Sequence, residues 1–393
     1  MITKKVAAIF AALGIAITGV SLVAPASADP VANTYAIVGS DTLEDAVNSI
    51  VNGTTGSAVR VITNNNTMGS FDATGSPCIQ TKAYGQRFAR PNGSSDGLKA
   101  LAKSMKNEAY TSSSNTACDI NGSKIVGMVD IARSSSNPGS SNPATTTTDT
   151  SVRTLAWIPF GRDAMAYAYR SAAATTTTET SVRVAAGIES LTKAQLADIF
   201  TCTQRTLDGQ TITPVVPQAG SGTRSSWAVA LGLATSSTAS SYTWASCVEV
   251  GQEHDGNSLK VRNAIMPMSV SRWVAMAQGL SVNKAGSAIL AGSSLVSGQA
   301  PVTGSGTSMV PNPLYYADTT WGRETWLVVD YDRITSGRTG YDAALARAFN
   351  KNLEASLANV DDSSEEMAGY WKKKFGILPP AAGVVALRTL ANN

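Results

Sequence analysis

Three short segments of the sequence combine glycine with hydroxyl side chains where a helix is expected to begin. They are residues 39–42 (GSDT), 93–95 (GSS) and 220–223 (GSGT). The first backbone N–H groups of a helix lack partners within the helix and carry partial positive charge, so they bind anions. Glycine lets the backbone approach a ligand closely, and Ser and Thr hydroxyls donate further hydrogen bonds. The three segments therefore predict a site for a small anion.

Each of these segments follows an expected strand and opens an expected helix. Apolar residues 35–38 precede the first segment, and Leu43, Ala46, Val47 and Ile50 recur after it at helical spacing. Strands that alternate with helices along the chain predict an α/β fold with mainly parallel sheets. In open α/β sheets such turns gather at the carboxyl edge of the strands, where ligands bind.

Length and charge narrow the class of protein. A chain of 393 residues is too long for one ordinary core, so we expect two domains. The formal net charge is +3. Without the two lysines near the N-terminus, 29 basic residues stand against 28 acidic ones, a net charge of +1. A nucleic-acid-binding protein normally has a basic surplus, so we expect no nucleic-acid partner. The phosphate-binding loop pattern G-x-x-x-x-G-K-[ST] is missing from the sequence, which argues against a nucleoside triphosphatase.

The N-terminal residues resemble an export signal. Two lysines at 4–5 precede an apolar stretch at 6–23, and residues 26–28 (ASA) form a small-residue cleavage site. A membrane anchor is the alternative, but Pro25 and the cleavage site favour removal of residues 1–28. No cysteine follows the apolar stretch, so no lipid anchor is expected. We predict a secreted, extracytoplasmic protein without a stable membrane anchor.

Four cysteines remain for cross-linking, and an even number in an exported chain favours disulfides. Four cysteines allow three pairings, of which the spacings favour Cys78–Cys118 and Cys202–Cys247, one in each expected domain. A zinc site is the alternative. It is disfavoured because the sequence has no C-x-x-C pair and His254 is its single histidine. We expect no metal and no cofactor.

Four segments, in order, resemble the ligand loops of a known family. They are residues 38–42 (VGSDT), 93–99 (GSSDGLK), 129–135 (VDIARSS) and 219–223 (AGSGT). They are similar to the loops of phosphate-binding receptors of ABC transporters, which belong to the type II periplasmic-binding-protein superfamily. The resemblance spans nearly the whole chain after residue 28. It implies a binding protein rather than an enzyme, a monomer that captures phosphate or a similar oxyanion and delivers it to an ABC permease.

In that family two lobes, each a mainly parallel sheet flanked by helices, close over a dehydrated ligand. The resemblance divides this chain into lobe 1 (29–158 and 325–393) and lobe 2 (159–324). The last segment, 325–393, contains the strand that returns to lobe 1. Because the chain crosses between the lobes twice, we expect residues 155–160 and 325–329 to lie side by side.

The resemblance and the charge of the loops give the predicted ligand residues: Ser40, Asp41, Thr42, Ser94, Ser95, Arg133, Ser134, Ser135, Gly220, Ser221, Gly222, Thr223 and Arg224. The chain departs from the family's pattern where Ser135 replaces an Asp that accepts the proton of hydrogen phosphate. It departs again where Pro217 and Ala219 replace an Arg and an Asp. We therefore expect Arg133 or Arg224 to balance the anion's charge and Asp41 to act as the acceptor.

Two other functions stay open at this point. One is a secreted surface protein that keeps the clamp fold but has lost or changed its ligand. The other is a hydrolase or phosphatase that uses Ser221 with His254 and Asp255. The hydrolase is disfavoured because the G-x-S-x-G pattern is missing around Ser221 and His254 would be its only general base. For the 253–256 segment, a polar loop with a hydrogen-bonded histidine is preferred.

Overall fold

The structure is a computed structural model that describes residues 29–30, 34–61, 67–138, 153–172 and 182–391. The predicted signal peptide, residues 1–28, lies outside the described residues. Within the described ranges, none of the helices has the length and apolar character that crossing a membrane requires.

The described residues form short helices and strands that alternate over much of the chain. The strands are β1 (Tyr35–Gly39), β2 (Met68–Ser70), β3 (Cys78–Ile79), β4 (Phe88–Ala89), β5 (Ile131–Ser134), β6 (Thr154–Arg170), β7 (Thr206–Leu207), β8 (Gln210–Thr211), β9 (Thr213–Pro217), β10 (Glu249–Gly251), β11 (Ala264–Ser269), β12 (Ala288–Ala291), β13 (Val302–Thr303), β14 (Val310–Pro311), β15 (Gly322–Asp330) and β16 (Leu387–Leu390). The helices are α1 (Glu44–Asn52), α2 (Ser94–Lys106), α3 (Lys193–Phe200), α4 (Gly222–Ala230), α5 (Val270–Ala277), α6 (Pro313–Tyr316), α7 (Tyr331–Ile334), α8 (Ala343–Arg347) and α9 (Ala368–Lys374).

One continuous sheet runs through both lobes. Its order is β10-β9-β11-β6-β15-β5-β1-β2, and β12 and β16 also pair with β6. The outer strands of each lobe are parallel, as in β2-β1-β5 and β10-β9-β11. The long strands β6 and β15 pair antiparallel with their neighbours. The predicted two-lobed α/β fold is confirmed, and the antiparallel pairs arise because the chain crosses the lobe boundary in both directions.

The two crossover segments lie side by side, as predicted. In the antiparallel pair of β6 and β15, Trp326 lies opposite Pro159 and Val329 opposite Ala156. The register shifts between Thr325 and Trp326, next to the predicted lobe boundary. Nearly every residue of both strands is buried or half-buried, which suits strands covered on both faces.

Each lobe has its own apolar core. In lobe 1, Leu43 and Val47 of α1 pack in one cluster with Leu327 of β15. In lobe 2, Trp227 of α4 packs with Phe200 of α3 in a separate cluster, and their rings meet edge to face with centroids 5.8 Å apart. The lobe 1 cluster also includes Ala275 of α5, so the two cores adjoin at the lobe boundary.

Both predicted disulfides are present, and each lies inside one lobe. Cys78 and Cys118 have Cα atoms 5.2 Å apart, and Cys202 and Cys247 have Cα atoms 6.0 Å apart. A cross-link confined to one lobe stabilises that lobe without tying it to the other.

Candidate functional site

The three predicted turns meet where the two lobes face each other. Gly39 ends β1 before a single 3-10 turn at Asp41–Leu43, α2 begins at Ser94, and α4 begins at Gly222. The backbone N–H of Ser95 in lobe 1 donates to the carbonyl of Gly220 in lobe 2 at 2.9 Å. Gly93, with φ +115°, lies so close to lobe 2 that an added Cβ would be 2.5 Å from the Gly220 oxygen. Glycine is therefore required there for the backbones to meet.

Three serine hydroxyls of lobe 1 form a buried group that we call the hydroxyl cluster: Ser40, Ser94 and Ser135. The Ser40 hydroxyl donates to Ser135 Oγ at 3.1 Å, and the Ser94 and Ser135 hydroxyls are 3.3 Å apart. All three residues have no exposed surface. Lobe 2 covers the cluster with Gly222, whose added Cβ would lie 2.3 Å from Ser94 Oγ and 2.5 Å from Ser135 Oγ. The cluster therefore faces the first residue of α4.

A buried arginine connects threonines from the two lobes. Arg323 Nη2 donates to Thr223 Oγ1 at 2.9 Å and to Thr42 Oγ1 at 3.3 Å. Because both threonine oxygens accept from the guanidinium, each hydroxyl hydrogen remains to be donated elsewhere. Arg323 is only 6% exposed, and its Nη1 has no hydrogen-bond partner among the residues that the structure describes. An unpaired donor on a buried cation is costly, so this site is suited to accept an anion.

Asp163 holds Arg323 in place. Its Oδ2 accepts from Arg323 Nη2 at 2.8 Å and from Nε at 3.1 Å. Its Oδ1 accepts from the Ser269 hydroxyl and the Ser271 backbone N–H, both at 3.0 Å. Both carboxylate oxygens are therefore occupied, and the guanidinium is fixed against lobe 2 before any ligand binds.

The two predicted charge-balancing arginines make other contacts. Arg133 is fully buried behind the first turn, where Nε donates to the Ser40 carbonyl at 3.0 Å and Nη2 to the Phe71 carbonyl at 2.8 Å. Arg224 Nη1 donates to the Pro217 carbonyl at 2.8 Å, and its guanidinium stacks over Trp244. Their role toward an anion stays a prediction, and the observed contacts make them supports of the backbone.

Asp41 is turned toward lobe 2 rather than toward the hydroxyl cluster. Its carboxylate lies 3.4 Å from Arg272 Nη2 and 3.3 Å from His254 Nδ1. Burial alone would raise the pKa of Asp41, but Arg272 and His254 together hold it well below its usual range. The neighbouring Glu44 has its pKa raised to about 7, first by burial and then by Asp41 and Asp72. Asp41 therefore serves an inter-lobe ion pair in this arrangement.

His254 is the hydrogen-bonded histidine that the sequence favoured. It is 1% exposed, its Nδ1 faces Asp41, and its Nε2 lies 3.7 Å from Glu253 Oε1. The Ser221 hydroxyl instead accepts from the Arg224 backbone N–H at 3.0 Å as the N-cap of α4. Within the described ranges, His254 and Ser221 form no hydrogen bond with each other, so the geometry does not bring together a hydrolase's nucleophile and base.

The predicted residue Ser134 has a local role, and three amides that were not predicted add contacts nearby. The Ser134 hydroxyl donates to the Ser136 carbonyl at 3.0 Å. On the far side of the turns, Gln218 Nε2 donates to Asn92 Oδ1 at 2.8 Å, and Asn92 Nδ2 donates to Gln252 Oε1 at 3.0 Å. These amides add polar contacts between the lobes.

Comparison with known proteins agrees with this arrangement of two facing lobes. A sequence model described as a PBP superfamily domain matches residues 24–318. The chain belongs to the periplasmic-binding-protein (PBP) superfamily. A search of curated proteins found no match. The predicted superfamily is therefore confirmed over most of the chain.

Several solved structures are similar to this PBP-superfamily chain. A candidate phosphate ABC transporter substrate-binding protein from Clostridium perfringens, solved with bound phosphate, has 13% identity, a TM-score of 0.49, and coverage of 88% of this chain and 98% of that chain. An ABC-type phosphate transport receptor from Vibrio cholerae has 16% identity, a TM-score of 0.44, and coverage of 88% and 100%. A phosphate-binding protein from Stenotrophomonas maltophilia has 15% identity, a TM-score of 0.45, and coverage of 88% and 91%.

Arg323 is the site residue that the loop motifs of this PBP-superfamily chain did not reveal. It lies on β15, outside every glycine-containing loop, and directly opposite Asp163 in the strand pair. The pairing of the two crossover strands was a partial signal. The register shift between Thr325 and Trp326 brings Arg323 opposite Asp163, whereas unshifted pairing would place it opposite Arg162.

Proposed function

We propose that the protein captures a small oxyanion, phosphate in the first instance, between its two lobes. The observation that supports this most directly is the meeting of unlike donors from both lobes. The hydroxyl cluster and Thr42 come from lobe 1, Thr223 and the first turn of α4 come from lobe 2, and the buried Arg323 joins them. A tetrahedral anion has several oxygens to satisfy, and such a ring of donors suits it.

The charge of the site favours an anion over a neutral ligand. One oxygen of Asp163 accepts from Arg323, and the other accepts from two donors of lobe 2. The ion pair therefore leaves Nη1 of Arg323 without an acceptor among the described residues. Serine and threonine hydroxyls are neutral donors, and a negatively charged ligand oxygen is a stronger acceptor for them than another hydroxyl. Binding of the anion would replace the hydroxyl-to-hydroxyl bonds of the cluster with stronger charge-assisted bonds.

Delivery to an ABC permease completes the proposed function. Membership of the PBP superfamily supports a role as a solute-binding protein, and the predicted signal at residues 1–28 supports an extracytoplasmic location. We propose that the closed monomer presents its loaded cleft to the permease. This role requires no chemical conversion of the ligand.

Isothermal titration of the purified protein lacking residues 1–28 tests the proposal, with phosphate, sulfate, arsenate and molybdate as ligands. Thr223→Val removes one buried donor while keeping the side-chain shape, and it should weaken phosphate binding by roughly five- to a hundredfold, or about 1–3 kcal/mol. Thr206→Val, at an exposed position on β7, is the matched control and should bind as the wild type does. Equal affinity in both variants would show that Thr223 does not contact the anion.

A second candidate is a surface protein that keeps the clamp but binds no anion. It is favoured by the direct contacts between the lobes, since the Ser95 N–H already donates to Gly220 and Gly222 already covers the hydroxyl cluster. The same titrations separate the two functions. If none of the four oxyanions gives a binding heat or raises the melting temperature, the result favours the surface protein that binds no anion.

A further inference from the structure

A side cavity adjoins the proposed anion site. Its volume is about 250 Å³, and its wall includes Arg323. Ser136, next to the cluster residue Ser135, and Ser225 and Ser226 of α4 also line it. The Ser226 hydroxyl donates to the Ser135 carbonyl at 3.4 Å, which joins this wall to the hydroxyl cluster. We call this space the side cavity.

The side cavity is larger than an inorganic anion requires. The donors proposed to hold the anion, Thr42, Thr223 and the hydroxyl cluster, are not part of its wall. A buried water needs on the order of 10–15 Å³ in a cavity, so the space holds several waters or a small organic group. A second cavity of about 460 Å³ shares Ser136 and Ser225 with it, so the space continues away from the anion site.

The wall combines hydroxyl and apolar surface, and it also includes the Asn137 amide and the cationic side chains of Lys193 and Arg323. Hydroxyls of Ser136, Ser225 and Ser226 line one part, whereas Met165 and Val229 supply apolar surface. A short carbon chain with hydroxyl groups satisfies both, because its carbons cover the apolar part and its hydroxyls exchange hydrogen bonds with the serines. Arg323 is the residue common to both spaces, since it bonds to Thr42 and Thr223 and also lines the side cavity. Its unpaired Nη1 calls for an acceptor from the ligand.

We propose that the preferred ligand is a phosphomonoester of a small polyhydroxylated alcohol. This inference rests on the proposed function, because the phosphoryl group takes the place given there to phosphate. The phosphoryl oxygens bond to the hydroxyl cluster, Thr223 and Arg323, and the alcohol part occupies the side cavity. In a phosphomonoester one of the four oxygens also bonds to carbon. This ester oxygen would connect the phosphoryl group in the anion site to the alcohol part in the side cavity. No bond of the ligand is broken.

Titration of glycerol 3-phosphate, inorganic phosphate and glycerol into the wild type and into Val229→Trp tests this proposal. The Val229→Trp variant is designed to occupy the side cavity. Val229 lines the side cavity from α4, and the hydroxyl cluster is not part of the cavity wall, so a larger ring at this position narrows the cavity. In the wild type, glycerol 3-phosphate should bind at least about tenfold more tightly than phosphate, and glycerol alone should not bind. Val229→Trp should remove that preference and keep phosphate binding. Val250→Trp, at a position 63% exposed and outside the cavity, is the matched control and should keep the preference.

The possible results separate this inference from the proposed function. If phosphate binds and glycerol 3-phosphate binds no better, the phosphomonoester is rejected and oxyanion capture stands. If the preference is present but survives Val229→Trp, the alcohol part does not occupy the side cavity and the inference is overturned. If neither phosphate nor its ester binds, both proposals fail.

Discussion

Replacing Gly222 by alanine tests whether the ligand is held between the hydroxyl cluster and α4. The added Cβ would lie 2.3 Å from Ser94 Oγ and 2.5 Å from Ser135 Oγ, whereas ordinary contacts begin at about 3.4 Å. The lobes must therefore separate by about 1 Å, or both serines must rotate away. The backbone of Gly222 is not left-handed, and alanine suits the first turn of a helix, so the fold itself should tolerate the change.

The cost to binding can be worked from the bonds that the separation breaks. The Ser95 N–H to Gly220 oxygen distance would grow from 2.9 Å to about 3.9 Å, which is no longer a hydrogen bond. The donors from lobe 2 would move away from the anion by a similar distance. Losing two or three bonds at about 0.5–1.5 kcal/mol each weakens binding by roughly tenfold or more.

Titration calorimetry, a thermal melt and small-angle scattering together give the result. We expect weaker phosphate binding, a lower melting temperature without ligand because the bonds between the lobes are lost there too, and a larger radius of gyration with ligand than in the wild type. Thr206→Val, at an exposed position on β7, is the control and should bind as the wild type does. Wild-type affinity in a well-folded Gly222→Ala protein would refute the placement of the anion between the cluster and α4.

Three further predictions follow from the same structure. The affinities for phosphate and sulfate should differ by less than about tenfold. Asp41→Asn should change that ratio by less than about threefold, because the Asp41 carboxylate faces Arg272 and His254. A large change in the ratio would show that Asp41 is the proton acceptor after all. Burial lowers the pKa of Lys372 to about 7, and an unfolded lysine titrates near about 10.4, so the unfolded chain binds the proton more tightly between these values. Urea denaturation should therefore show that the unfolding free energy of the wild type minus that of Lys372→Met rises as the pH increases from about 7 to about 10. A difference that stays flat or falls over this range would contradict the prediction. Replacing either cysteine pair, Cys78–Cys118 or Cys202–Cys247, by serine should lower the unfolding free energy by about 3–4 kcal/mol. The folded variant should keep its ligand affinity. A large loss of affinity in a fully folded variant would show that the cross-links also shape the cleft.

Features written in consecutive residues were predictable from the sequence. The turns at Gly39, Gly93 and Gly220 carry their own signals, since glycine and hydroxyl residues stand within a few residues of each other, and at the third turn the Ser221 hydroxyl caps α4. The disulfides also followed from their spacing, because each closes a loop inside one lobe.

Features that depend on long-range packing were missed or misjudged. Whether Arg133 faces the cleft or the β1 turn depends on the carbonyls of Ser40 and Phe71, which no local pattern encodes. Asp41 and His254 meet across a separation of 213 residues. Arg323 becomes a site residue only once β15 is paired with β6, because that register brings it to Asp163.

The continuous pairing of β6 with β15 has a consequence for how this protein can be taken apart. Neither lobe is a separate module that could be expressed, exchanged between relatives or evolved alone, since cutting between them would sever two strands in the middle of a shared ladder. A graft of lobe 2 onto another scaffold would have to carry residues from both crossovers, together with Arg323 and its partner Asp163. A recombination event that falls within the crossover strands would therefore disrupt the shared ladder and the proposed anion site together.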